Sequence, residues 1–200
     1  MKTILQLNAS ILSNEGQSTR LANEFVARLR TDEKLVVRDL ARDPVPHLTG
    51  GRFIAFTTAK EKRNSAQNQI VAYSDQLIGE LKQADVIVLG LPMYNFGVPS
   101  TLKAYFDHVA RAGVTFKYTE KGPVGLLSGK KAYVFAARGG IYQGTPRDTQ
   151  TAYLRDFLAF LGITDVEFVY AEGLAISEAS KIASLAKARE SLHDLVPALV

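Results

Sequence analysis

The chain contains no cysteine and no tryptophan among its 200 residues. Disulfides, thiolate nucleophiles, iron–sulfur clusters and thiolate zinc sites are therefore excluded, and the composition suits a reducing cytosol, so we expect a cytoplasmic protein. The three histidines, His47, His108 and His193, show no metal-ligand spacing and no clustered carboxylates. We therefore predict no metal site and assign no residue as a catalytic acid, base or nucleophile.

Long apolar runs are also missing. No stretch approaches the roughly 20 residues that a membrane-spanning helix needs. The segment Met1–Asn8 has one positive charge and an apolar run too short for a signal peptide, so no membrane association is expected. The net charge is +4, but the basic residues are scattered, with their densest clusters at Lys60–Arg63 and Lys130–Lys131. Scattered bases are typical of a solvated surface, so no nucleic-acid partner is predicted.

Several motifs of common enzyme classes are absent. The chain has no Gly-x-Gly-x-x-Gly after its first strand, no phosphate loop ending in Gly-Lys-Ser/Thr and no Gly-x-Ser-x-Gly. A phosphoacceptor receiver domain would need acidic residues after the first strand and an aspartate ending the third. Those places hold Asn8–Ser10 and Gly90–Pro92. The dinucleotide fingerprint, a nucleophile elbow and a receiver domain are thus excluded.

Apolar periodicity predicts five strands alternating with five helices. The strands are expected at residues 2–8, 35–39, 86–90, 131–136 and 166–171, and the helices at about 18–29, 67–83, 100–111, 151–161 and 178–196. Right-handed crossovers place such helices on both faces of a parallel sheet, and the common five-stranded arrangement is the flavodoxin-like order 2-1-3-4-5. Without repeats or linkers, residues 1–200 are predicted to form one doubly wound α/β domain.

The switch point of this order lies between strands one and three, so the loops at residues 9–17 and 92–98 should meet there. The second loop follows a strand that is apolar on both faces, and Pro92 and Pro99 stiffen it. It holds a thioether, two aromatic rings and an amide, contributed by Met93, Tyr94, Asn95 and Phe96. A flat ring with polar edges would suit such a loop.

The first loop contains a candidate phosphate site. Ser10 and Ser18 offer hydroxyls, Gly16 allows close backbone approach, and the first turn of the helix has free N–H groups. No basic residue precedes Arg20 in this loop, so dipoles and hydroxyls would hold the anion. The alternative is that Ser18 only caps the helix, which is a common role for serine.

The third loop follows the fourth strand and contains Gly139-Gly140. Successive backbone N–H groups there could bind the pyrimidine edge of a flavin and stabilise the negative charge that develops on reduction. The alternative is a plain glycine turn at the end of a strand.

With these motifs the chain resembles the FMN-dependent NADH-azoreductases, which are flavodoxin-like and related to NAD(P)H quinone reductases. The resemblance runs essentially end to end. It is carried by the segments Gly16–Ser18, Pro92–Phe96, Pro99–Asp107, Ala112–Phe116, Arg138–Gly140 and Gly162–Asp165.

The resemblance implies a cytosolic homodimer with one FMN per subunit at the dimer interface. It assigns the phosphate and ribityl contacts to Ser10, Gly16, Gln17 and Ser18. It assigns the ring contacts to Pro92, Met93, Tyr94, Asn95 and Phe96, together with Ala137, Arg138, Gly139 and Gly140. Tyr118 and Phe160 are expected to line the acceptor pocket of the neighbouring subunit. Ala137 departs from the serine frequent in the family, so a hydroxyl contact to the flavin is lost there while a backbone contact survives.

The implied reaction is ping-pong: NADH or NADPH reduces the flavin and leaves, and a quinone or azo compound then takes its place. Two other hypotheses stay open. One is an electron-carrier flavoprotein without its own substrate, and the other is a flavin-free binding module that uses the same crevice. The sequence gives neither the physiological acceptor nor the choice between NADH and NADPH.

Overall fold

The computed structural model describes residues 2–29 and 34–195. Five parallel strands form the main sheet: β1 (Thr3–Asn8), β2 (Lys34–Asp39), β3 (Val86–Pro92), β6 (Lys131–Ala137) and β7 (Asp165–Ala171). Their spatial order is β2-β1-β3-β6-β7. Because β4 (Phe116–Thr119) and β5 (Gly122–Gly125) form a separate antiparallel pair, this is the predicted order 2-1-3-4-5.

Helices cover both faces of the main sheet. They are α1 (Gln17–Arg28), α2 (Gly50–Thr57), α3 (Ser65–Gln83), α4 (Ser100–Val109), α5 (Thr149–Leu161) and α6 (Glu178–Leu195). Residues of α3, α4 and α5 pack into one core on one face, and residues of α1 and α6 pack into a second core on the other. The predicted last residue of α6, Val196, lies outside the described residues. Within the described ranges, no helix is long and apolar enough to cross a membrane.

One aromatic side chain, Phe25, anchors the helix α1 to the sheet. Phe25 is fully buried, and its ring centroid lies 4.8 Å from that of Tyr133 and 5.2 Å from that of Phe135, both on β6. Truncating a buried phenylalanine typically costs about 3–5 kcal/mol. This contact therefore fixes the helix whose first turn belongs to the predicted phosphate site.

One α-helix and one hairpin of two strands were not predicted. The helix is α2, which begins with Gly50-Gly51, two poor helix formers, and buries fully only Ala55. The hairpin is β4–β5, inside the excursion 114–128, where Gly122 has φ +110°.

The predicted end of α4 was also wrong. The helix ends at Val109, and Ala110 follows it with φ −81°. Gly113, with φ +75°, lies in the turn leading to β4, where its N–H donates to the Phe116 carbonyl at 2.7 Å. Gly162 follows α5 in the left-handed region, with φ +98°, which is a common end of a helix.

The strand register brings the carboxyl ends of the central strands together. Asn8 is paired with Gly90, and Pro92 is paired with Ala137. All seven residues of β3 are buried, because helices cover both faces of this strand. The loops that follow β1, β3 and β6 therefore leave the sheet side by side.

Candidate ligand-binding site at the carboxyl edge of the sheet

The first and second loops are in direct contact. The Ala9 N–H donates to the Gly90 carbonyl at 3.0 Å, and the Ile11 N–H donates to the Tyr94 hydroxyl at 3.3 Å. The Ser10 and Tyr94 hydroxyls lie 3.4 Å apart. The tyrosine thus joins the predicted aromatic loop to the predicted phosphate loop.

Gly16 is the N-cap residue of α1, and a side chain there would not fit. A Cβ atom on Gly16 would lie 2.1 Å from the Ser10 Oγ. On the other side of this turn, a Cβ on Gly90 would lie 3.1 Å from the Ser18 carbonyl oxygen. Two glycines therefore allow the first turn of α1 to sit against both the first loop and β3.

Ser18 does not cap α1. It is the second residue of the helix, after Gln17, and its Oγ is buried without a hydrogen-bond partner within the described part of the chain. The N–H groups of a first helical turn also lack intrahelical acceptors. An anion at this turn would accept hydrogen bonds from both kinds of donor.

The second loop contains a left-handed turn. The Tyr94 N–H donates to the Gly97 carbonyl at 3.2 Å, and the Gly97 N–H donates to the Tyr94 carbonyl at 3.0 Å. The two residues between them, Asn95 and Phe96, have φ of +50° and +64°. Positive φ at both central positions is the pattern of a type I′ turn. Asparagine tolerates this region, whereas phenylalanine is rarely found there. The turn leaves the Phe96 ring half exposed.

The first turn of α5 holds this loop, which the sequence did not reveal. The Gln150 Nε2 donates to the carbonyls of Pro92 and Gly97 at 2.9 and 3.1 Å, and the Thr149 hydroxyl donates to the Phe96 carbonyl. The predicted start of this helix was two residues later, at Thr151. No local signal pointed to either residue, because their partners are more than 50 positions away.

The third loop lies next to the second. The Met93 N–H donates to the Ala137 carbonyl at 3.1 Å, and the rings of Phe96 and Tyr142 meet edge to face with centroids 5.6 Å apart. A Cβ on Gly140 would lie 2.6 Å from the Tyr142 ring, so a side chain there would displace that ring. All three predicted loops thus meet at one edge of the sheet.

The Arg138 side chain is held inside the protein. It is fully buried, with Nη2 at 2.9 Å from the Asp148 carboxylate and Nη1 at 3.0 Å from the Glu172 carboxylate. Glu172 also accepts the N–H groups of Tyr142 and Gln143 at 3.0 Å each. The guanidinium and Glu172 therefore brace the third loop.

Asp148 connects this network to α5. Its carboxylate accepts the Thr151 N–H at 3.1 Å and so caps the helix. Burial raises the pKa of Asp148, but hydrogen bonds from Arg138 and Thr151 outweigh that effect, and the pKa lies below its ordinary value. Glu172 could have been suspected from the sequence, because it follows the carboxyl end of the buried strand β7.

Tyr118 and Phe160 lie apart from the three loops. The Phe116 ring contacts both, with centroids 5.4 Å from Tyr118 and 4.2 Å from Phe160. Phe160 is eleven residues after Thr149 in α5, which places it about 16 Å along the helix from the loops. Within one chain the structure does not bring this aromatic pair to the site.

The fold and this edge of the sheet define a flavodoxin-like protein, and the family model described as "Flavodoxin-like fold" matches residues 2–196. Among curated proteins, FMN-dependent NADH:quinone oxidoreductase 6 of Burkholderia lata is 56% identical over 195 residues, covering 96% of this chain and 98% of the relative. The FMN-dependent NADH:quinone oxidoreductase of Cellvibrio japonicus is 54% identical over 190 residues, covering 94% and 96%.

Solved structures give the same result. The azoreductase of Bacillus anthracis strain Sterne superposes with a TM-score of 0.89 at 27% identity, covering 98% of this chain and 99% of that one. An FMN-dependent NADH-azoreductase of Bacillus anthracis strain Ames Ancestor, solved in complex with FMN, has a TM-score of 0.86 at 27% identity, covering 98% and 100%. This chain belongs to the family of FMN-dependent NADH:quinone oxidoreductases and azoreductases, as the sequence motifs predicted.

Proposed function

We propose that this chain binds FMN and transfers two electrons from NADH or NADPH to small aromatic acceptors, namely quinones and azo compounds. The observation that carries the proposal is the buried Ser18 Oγ in the first turn of α1, which has no hydrogen-bond partner in the part of the chain that the structure describes. The names of the relatives above, which combine FMN, NADH and quinone, support the same activity.

The residues present fit a flavin mononucleotide. Its terminal phosphate would lie at the first turn of α1 and accept hydrogen bonds from the Ser18 hydroxyl and the free N–H groups. Ser10, Gly16 and Gln17 complete this cradle. No second phosphate loop accompanies it, so FMN is expected in preference to FAD.

FMN supplies the redox chemistry when bound, by accepting a hydride from the nicotinamide and returning two electrons to an acceptor. The chain's own residues bind and orient the ring. Met93, Tyr94, Asn95 and Phe96 contact it from the second loop, and the backbone at Ala137–Gly140 faces its pyrimidine edge. Preorganised N–H donors aimed at that edge favour the reduced state. No side chain needs to act as a nucleophile.

The proposal includes a cytoplasmic homodimer in which Tyr118 and Phe160 complete the acceptor pocket of the second subunit. Tyr118 is 74% exposed, and the exposed Val124 and Leu126 lie in the same excursion. The aromatic pair is remote from the loops of its own chain, which supports a role at a neighbouring one. NADH and the acceptor would use the same pocket in turn, which is the basis of a ping-pong reaction.

Purification of the protein tests the proposal directly. We expect a yellow protein whose flavin, released by denaturation, co-elutes with FMN, and NADH oxidation that menadione stimulates strongly. Mostly FAD in the extract would overturn the phosphate assignment. Bound FMN without menadione-dependent NADH oxidation would favour the electron carrier, and the absence of any flavin affinity would favour a flavin-free binding module.

A further inference from the structure

We infer that Gln150 is a positioning residue that fixes the second loop in the conformation that receives the flavin ring. The inference rests on the proposed function, because it takes the ring as the ligand of that loop. Gln150 is only 1% exposed and lies in the first turn of α5. It reaches the loop through a single amide group.

Both hydrogens of that amide are used on the loop. A side-chain NH₂ has two donors, and here one bonds the Pro92 carbonyl at 2.9 Å and the other bonds the Gly97 carbonyl at 3.1 Å. Pro92 ends β3, and Gly97 closes the turn. One buried side chain therefore holds the two ends of the loop at a fixed separation.

The loop needs such a restraint, because its conformation is costly. Left-handed φ is unfavourable for residues other than glycine, most of all for a bulky one, and both Asn95 and Phe96 adopt it. Strain of this kind persists only where surrounding contacts over-determine the backbone. Thr149 supplies one of these contacts at the Phe96 carbonyl, and Gln150 supplies two.

The position from which Gln150 acts is itself fixed to the third loop. Asp148, two residues earlier, forms a buried ion pair with Arg138, the residue before Gly139-Gly140. The first turn of α5 therefore contacts both loops that would lie against the ring. Through Gln150 it sets the spacing between the aromatic loop and the glycine loop.

The carbonyl oxygen of the Gln150 amide is evidence that this residue does more than fill space. The Gln150 Oε1 is buried and has no hydrogen-bond partner among the described residues. A buried acceptor without a partner is unfavourable, and a leucine or methionine would fill similar space without that cost. The two donated hydrogen bonds are therefore the contribution that distinguishes glutamine at this position.

The experiment compares Gln150→Leu and Gln150→Glu with Gln76→Leu, a control at an exposed glutamine on α3 far from the loops. FMN and riboflavin affinities are measured by quenching of flavin fluorescence in the flavin-stripped protein, and thermal stability is measured on the same samples. For Gln150→Leu we expect both affinities to fall by about tenfold or more, the equivalent of one or two lost hydrogen bonds. Their ratio should stay constant, because the phosphate site is untouched.

The glutamate variant gives a readout that loss of packing would not produce. A carboxylate facing two carbonyl oxygens has no hydrogen to donate, whereas the neutral acid has one. Burial beside these oxygens raises the carboxyl pKa, so the affinity of Gln150→Glu for FMN should recover several-fold, relative to wild type, as the pH is lowered from 8 to 5.5. The wild type and Gln76→Leu should show no such recovery.

The binding measurements distinguish failure of the proposed function from failure of the positioning role of Gln150. Wild-type protein that binds neither flavin would defeat the proposed function itself. Wild-type binding with unchanged affinity in Gln150→Leu, or a pH-independent deficit in Gln150→Glu, would defeat only the positioning role of Gln150. Should Gln150→Leu fail to fold, the pH profile of Gln150→Glu decides the question.

Discussion

The hydroxyl of Ser18 is buried and has no hydrogen-bond partner among residues 2–29 and 34–195. Leaving a buried polar group unpaired costs roughly 1–3 kcal/mol, so such groups are rare unless a ligand or water pairs with them. Ser18 opens α1 next to Gly16, where no side chain fits beside Ser10. The Ser18 hydroxyl is therefore a hydrogen-bonding group in the candidate site that is available to a ligand.

Substitution of Ser18 tests this assignment. We expect Ser18→Ala to weaken FMN binding about fivefold to tenfold through one lost hydrogen bond, while riboflavin affinity stays unchanged. Ser18→Asp should weaken FMN much further, because a carboxylate would face the phosphate dianion. Flavin titrations provide the measurement, with Ser128→Asp at an exposed loop position as the charge control. Equal FMN affinity in the wild type and both Ser18 variants would show that the phosphate does not bind at Ser18.

Asn95 combines a backbone role with a proposed contact to the ring, and two substitutions separate these roles. Asn95→Ala should lose about 1 kcal/mol of stability because alanine tolerates φ +50° poorly, whereas Asn95→Gly should not. If the amide also donates to the reduced flavin, both variants should lower the midpoint potential, by about 30 mV for each 1.4 kcal/mol lost. Redox titration together with thermal unfolding checks both. A glycine variant with the wild-type potential would leave Asn95 with only its role in the turn.

The first turn of α5 is the element that joins the site together. Four consecutive residues, Asp148–Thr151, contact the Arg138 side chain, the Phe96 carbonyl and the ends of the second loop. The ion pair beneath it is buried, so removing one partner would leave an unpaired charge in the protein interior. We therefore expect the stability of this turn to depend on pH.

The lowered pKa of Asp148 defines that dependence. A carboxyl whose pKa is depressed by folding stabilises the protein above its unfolded value, near pH 4, and this stabilisation is lost as the pH falls through the folded value. Asp148→Asn should therefore cost about 2 kcal/mol at pH 7, with the difference from wild type shrinking below pH 4. Urea unfolding at several pH values measures it. Asp156→Asn, at an exposed position on the same helix, is the control. A loss of unfolding free energy in Asp148→Asn that is as large at pH 3 as at pH 7 would contradict this prediction.

In the whole molecule, the β4–β5 hairpin carries an exposed aromatic side chain that no contact within one described chain accounts for. It packs closely on the end of α5, where a Cβ on Gly125 would lie 2.0 Å from the Gly162 nitrogen. This contact fixes the hairpin, yet Tyr118 stays largely exposed upon it. A rigid, exposed aromatic suits contact with a second subunit better than it suits a solvated loop.

Light scattering at micromolar concentration should give twice the mass of one chain. Tyr118→Ser should raise the KM for menadione with little change in FMN affinity, since the proposed contact is to the acceptor. Lys117→Ser, which alters the opposite face of the same strand, provides the control. A fully active monomer would end the proposal that Tyr118 acts on a neighbouring subunit.

The main sheet and the loops at its carboxyl edge were predictable from local sequence patterns. Apolar strands and helical stripes are local patterns, and the handedness of crossovers limits how alternating elements connect. Strand order therefore predicted that the first two loops meet, and the structure brings the third loop to the same edge. The β4–β5 hairpin within residues 114–128 was not predicted.

The role of each polar residue at that edge depended on contacts between distant parts of the chain. From the sequence Ser18 could be a cap, but the helix begins at Gln17. The Arg138 charge is paired with Asp148 and Glu172, and the contact of this residue to the ring stays a prediction. Gln150 had no signal in the sequence at all. The physical reason is shared: hydrogen bonds and ion pairs between residues far apart in the chain depend on angles and distances that no local pattern encodes, whereas burial and periodicity are written along the chain itself.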